Sequence, residues 1–110
     1  MATDKTGAPT TVTHESDRFN IEVDGQKVGF TDYADRGGQR IFTHTEVSDE
    51  FGGRGLATIL VNEALQKTRD AGLRIVAVCP MVAGFVEKHP EFADDVDPVD
   101  VDVKRWLANS

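Results

Sequence analysis

Hydrophobic periodicity first changes along this chain at a cluster of glycines, Gly52, Gly53 and Gly55, that surrounds Arg54. Before the cluster the apolar residues alternate. Phe19, Ile21 and Val23 share one face, Asp24-Gly25 is a hairpin dipeptide, and Val28 and Phe30 continue beyond it. A period of two with such a turn marks half-buried antiparallel strands. A second turn, Asp35 to Gly38, leads into a third strand that ends near Val47. After the cluster, Ala57, Leu60, Val61, Ala64, Leu65, Thr68 and Ala71 fall in one stripe at about 100° per residue, which predicts a long amphipathic helix. Asn62, Gln66, Arg69 and Asp70 lie opposite, Ile59 is left exposed on the polar side, and Gly72 supplies the stop. Residues 73–79 are a nearly continuous apolar run, as in a strand buried on both faces. Pro80 opens a short second helix and Pro90 closes it. The order is β-β-β-α-β-α. It predicts an α/β (α+β) fold in which an antiparallel meander runs into a mixed central sheet with helices packed on it.

Residues 1–13, rich in Thr, Ala, Gly and Pro, read as a flexible lead-in, and His14 beside them as inert. The domain occupies residues 14–93. Residues 94–110 form an acidic segment in which Val and Asp alternate from Val99 to Val103. That pattern predicts an edge strand guarded by its charges, or a partly disordered tail docked by Trp106 and Leu107.

The 110 residues suffice for one core. A formal net charge of -7 argues against nucleic acid and against an anionic membrane surface as partners. No apolar run is long enough to span a bilayer. Residues 1–15 lack the apolar core of a secretion signal, and the single cysteine, Cys79, fits a reducing compartment. A cytoplasmic protein is expected, as monomer or homodimer, with no metal.

The glycine cluster itself supports two readings. It is a tight turn, or it lets an anion approach bare amides at the positive end of the helix. Neither nucleotide-binding fingerprint fits. No Lys-Ser or Lys-Thr follows Gly55, and Thr58 stands where a third glycine of G-x-G-x-x-G belongs.

A strand, a turn of the form Gln/Arg-x-x-Gly-x-Gly/Ala and a long helix resemble the acetyl-CoA site of the GNAT superfamily of N-acetyltransferases. Here the turn maps onto Gly52 to Ala57, with Gly52 in place of the usual Gln or Arg. The segments "HTEV", "GGRGLATILVNEAL" and "VCPMVAGFVEKHPEF", spanning His44 to Phe92, resemble more narrowly the small YjdJ-type branch. The resemblance implies acetyl-CoA as co-substrate, its pyrophosphate on the backbone of Gly53, Arg54, Gly55, Leu56 and Ala57. It implies that Val47 pairs with the pantetheine arm through its backbone.

Cys79 precedes Pro80 and so falls at the second helix's N-cap, where the helix dipole favours a thiolate. The resemblance implies that a cysteine here lies near the thioester. It is then an acyl carrier, or else a small buried hydrophobe. His44 shares a strand face with Glu46 and is a candidate base, or a strand histidine satisfied by hydrogen bonding. Lys88 and His89 complement a helix C-terminus or reach the adenine-side phosphates. The resemblance implies that Phe85 stands where many GNAT enzymes carry a tyrosine that protonates the leaving thiolate. The expected function is acetyl transfer from acetyl-CoA to a primary amine, small molecule or protein, directly or through a Cys79 thioester. The alternatives are a catalytically inactive CoA-binding sensor or partner subunit, and an interaction domain that uses Ile59 and the acidic tail.

Overall fold

The computed structural model describes residues 7, 9–51 and 55–109. Six strands form one sheet in the order β1 (Thr10–Glu15), β2 (Arg18–Val23), β3 (Gln26–Arg36), β4 (Gln39–Val47), β5 (Arg74–Ala77) and β6 (Val96–Asp97). The first four are antiparallel neighbours, and β4, β5 and β6 run parallel. Three helices complete the fold: α1 (Leu56–Asp70), α2 (Pro80–Lys88) and α3 (Val101–Ala108). The mixed sheet with packed helices agrees with the expected fold class.

Each helix boundary follows from local chemistry. At the end of α1, Gly72 adopts φ 77° and donates to Arg69 O, while the Leu73 N–H reaches Thr68 O. This pair of reversed bonds is a Schellman motif, and it needs a residue tolerant of the left-handed region. Pro80 takes the first position of α2, where a missing N–H costs nothing.

Alternation divides the sheet residues between two cores. Phe42 and Ile75 face α1 and α2, and join Phe19, Ile21, Leu60, Leu65, Val82 and Phe92 in the larger cluster. Their neighbours Ile41 and Val76 face the other way and meet Val103, with Val99, Trp106 and Leu107 packed alongside. The β5 run is therefore buried on both faces, as its continuous apolar pattern predicts. Ile59, expected on the exposed side of α1, packs against the larger cluster. Because α1 rests on both the sheet and α2, its covered arc is wider than one stripe.

Both chain ends depart from expectation. Thr10 to Thr13, assigned above to the lead-in, lie in β1, which pairs with β2 along all its length. Their β-branched side chains suit a pleated edge. His14 is no loose residue, since its ring stacks on Phe19 at 4.2 Å and its Nε2 bonds the Tyr33 hydroxyl. In the acidic segment, the Val–Asp alternation forms a helix rather than an edge strand. Asp100 caps α3 by accepting from the Val103 N–H at 2.9 Å, and Val99, Val103, Trp106 and Leu107 recur at helical spacing on its buried side. The edge strand is instead the short β6. Asp97 anchors it by accepting from Gln39 Nε2 and Arg74 Nε, each at 2.9 Å. These two partners, Gln39 first, hold the Asp97 carboxyl below its ordinary range.

Candidate active site

Strands β4 and β5 part company halfway along β4. Their register pairs Gln39 to Phe42 with Arg74 to Ala77 and ends there, where the N–H groups of Val78 and Cys79 both donate to Phe42 O. β4 continues alone against β3 as far as Val47. The Ser48 N–H donates to Val28 O at 2.7 Å. By the alternation of an antiparallel ladder, Glu46 and His44 then turn their backbone groups toward β3, and Thr45 and Val47 turn theirs to the vacated edge.

One cleft opens beside this edge, and a second lies next to it, sharing Met81. The larger, of about 720 Å³, is lined by residues from both sheet faces, Phe30 and Glu46 from one and Thr45 and Val47 from the other, together with Met81 of α2. The smaller, of about 250 Å³, lies between α1 and α2 and is lined by Ala57, Thr58, Val61, Gly84, Lys88 and His89 among others. Met81 borders both clefts and is 41% exposed.

The α1 N-terminus has features that suit an anion. Gly55 is its N-cap in the left-handed region, φ 76°, and among the described residues no side chain caps it. The first turn carries no acidic residue. Its free amides therefore keep their partial positive charge, and Ala57 and Thr58 of that turn border the smaller cleft. Leu56 is buried, so only its backbone is available there. Lys88 and His89 line the same cleft. The His89 ring stacks on Phe85 at 3.9 Å, and its Nδ1 lies 2.8 Å from Phe85 O. A carbonyl only accepts, so Nδ1 carries a proton in this contact. Gly52, Gly53 and Arg54, which the resemblance assigns to this turn, lie outside the described residues.

Cys79 occupies the N-cap of α2 with extended backbone, as its place before Pro80 implies. Its sulfur is buried, and the thiol donates to Thr45 Oγ1 at 3.4 Å; that hydroxyl in turn pairs with Thr31 Oγ1 at 2.9 Å. His44 is exposed on the opposite sheet face, its Nε2 3.1 Å from Glu46 Oε1. The sheet thus separates the two candidate catalytic residues. It is Glu46 of the histidine–carboxylate pair that lines the larger cleft.

Several wall residues escape sequence reasoning. Arg18 spans β2 and β3, pairing with Asp32 while its guanidinium lies 3.9 Å above the Phe30 ring. Lys27 pairs with Glu15 at 2.7 Å. Both cations of the cleft wall are thereby neutralised, whereas Glu46 and Asp49 meet no lysine or arginine among the described residues. Only the register of three strands brings these residues together, and the hairpin signal alone does not give that register.

A profile of the GCN5-related N-acetyl-transferase family matches residues 18–96. The chain belongs to this family. The fold agrees with two solved structures. One is the solution structure of a GCN5-like protein of Staphylococcus aureus classed with the N-acetyltransferases, 22% identical over 83% of this chain and 91% of that one, with a TM-score of 0.64. The other is the ribosomal-protein-alanine N-acetyltransferase of Brucella melitensis biovar Abortus 2308, 21% identical over 78% of this chain and 66% of that one, with a TM-score of 0.53. No curated protein matches the chain. The part that matches the GCN5-related N-acetyl-transferase profile holds the parted strands, both clefts and the α1 N-terminus; β1 and α3 lie beyond it.

Proposed function

We propose that the chain binds acetyl-CoA along the vacated edge of β4 and transfers its acetyl group to a primary amine. The observation that carries this reading is the vacated edge of β4, which the chain follows with an α1 N-terminus that no side chain caps among the described residues. An extended arm bearing amides can pair with Thr45 and Val47 as a missing strand would. A pyrophosphate joined to it meets the amides of Gly53 to Ala57 and the charge of Arg54, and the outer phosphates meet Lys88 and His89. The fit is consistent with the small branch that the sequence resembles.

The amine approaches through the larger cleft, from the side of Phe30 and Glu46. Glu46 and Asp49 favour a cationic acceptor, as does the net charge of -7. The Glu46–His44 pair takes the ammonium proton and hands it to solvent. The freed nitrogen attacks the thioester carbonyl, the new C–N bond forms, and the C–S bond breaks to release CoA as a thiolate. The acylated nitrogen gives its second proton to water. Phe85 has no proton to donate, so the thiolate draws its proton from water.

Direct attack is favoured over a Cys79 thioester because the thiol is buried, bonded to Thr45 and on the opposite sheet face from His44. In the rival chemistry the Cys79 thiolate displaces CoA, and the amine then displaces Cys79. Calorimetry with acetyl-CoA, followed by thiol release across a panel of amines, tests the proposal. Binding with turnover on a cationic amine supports it. Binding without turnover on any amine supports the inactive module, and no binding removes the site.

A further inference from the structure

We infer that Met81 sets the length of acyl group the donor site accepts, restricting it to short chains. The inference rests on the acetyl-CoA site proposed above. The acyl end of a thioester lying along β4 falls in the larger cleft, between Thr45, Val47 and Met81, and Met81 alone of the three also borders the smaller cleft. Two of those walls are fixed. The Thr45 hydroxyl is held by Thr31 and by Cys79. Val47 packs on the main core, and its Cγ2 would lie only 3.0 Å from a Cβ added at Gly29 beneath it. The third wall is a long thioether chain that stands 41% exposed at the second position of α2. Methionine is unbranched and adaptable, so it closes down on a short acyl group, but its bulk resists a longer one. Truncation to alanine removes Cγ, Sδ and Cε, and joins the two clefts into one channel past Pro80.

The test compares dissociation constants of CoA, acetyl-CoA, propionyl-CoA and butyryl-CoA for wild type, Met81→Ala and Met81→Leu, by calorimetry on the full chain. No acceptor is needed. One or two methylenes against an apolar wall are worth roughly tenfold or more, so wild type should bind acetyl-CoA at least about tenfold more tightly than butyryl-CoA. Met81→Ala should bring the two within about twofold, and Met81→Leu, which keeps the bulk, should retain the discrimination. A wild type indifferent to chain length overturns the inference, as does a Met81→Ala protein with the wild-type ratio. So does a Met81→Ala protein that no longer binds CoA itself, which marks a packing role. A wild type that binds none of the four ligands overturns the acetyl-CoA site, and this inference with it.

Discussion

The sulfur of Cys79 lies 3.4 Å from the Thr45 hydroxyl, across the place where β4 and β5 separate. That contact links the N-cap of α2 to the strand edge and closes the narrow end of the gap. Only 4% of the residue is exposed, which favours the packing reading of the thiol. Cys79→Ala should cost about 1 kcal/mol of stability and leave acetyl transfer within about threefold of wild type. Turnover rates and intact mass after incubation with acetyl-CoA check this. An acetyl adduct on wild type, absent from the variant, together with lost turnover, would assign the covalent route.

Gly29 packs where no side chain fits. A Cβ there would approach Glu46 O to 2.8 Å and Val47 Cγ2 to 3.0 Å. Gly29→Ala must displace backbone at the end of β4, and overpacking of this kind costs about 1–3 kcal/mol. The expected result is a clearly lowered melting temperature, with acetyl-CoA affinity falling in step because Val47 shifts.

Gly84 is the opposite case. It sits inside α2, nothing lies within 4 Å of an added Cβ, and it borders the smaller cleft. Alanine is better than glycine in a helix interior by roughly 1 kcal/mol. Gly84→Ala should therefore raise the melting temperature of the free protein while weakening CoA binding, since the new methyl projects into space reserved for the ligand. A variant more stable and equally tight would show that the cleft holds nothing at that point.

His14 gives stability a pH dependence. Desolvation by burial chiefly, then the charges of Arg40 and Lys67, lower its pKa below the ordinary 6.5, against an opposing pull from Asp35. The unfolded chain therefore binds a proton more readily than the folded one. The contribution of His14 is complete above pH 6.5 and declines as pH falls through and below that value. Melting temperature should drop more between pH 7.5 and 5.5 in wild type than in His14→Gln. Equal slopes would mean the ring titrates freely.

The centre of this fold was legible because its period is plain: strands alternate up to Val47, a helix follows from Leu56, and Ile75 and Val76 divide one apolar run between two cores. The ends were harder. In the acidic segment a cap and a helical stripe are written over a period-two pattern, and Asp100 decides the outcome through one hydrogen bond to Val103. Of the candidate site, the Cys79 N-cap and the His44–Glu46 face could be read from proline placement and strand parity. The wall of Arg18, Phe30 and Met81 could not, because it depends on the strand register and on where α2 docks.

The gap between β4 and β5 reaches both faces of the sheet. Donor and acceptor can then enter by separate doors and reside together, so neither must leave before the other arrives. Initial-velocity lines that intersect, and a dead-end amine that competes with the acceptor but not with the thioester, are the kinetic signature of such a passage. Parallel lines would mean that the two substrates take turns at one opening.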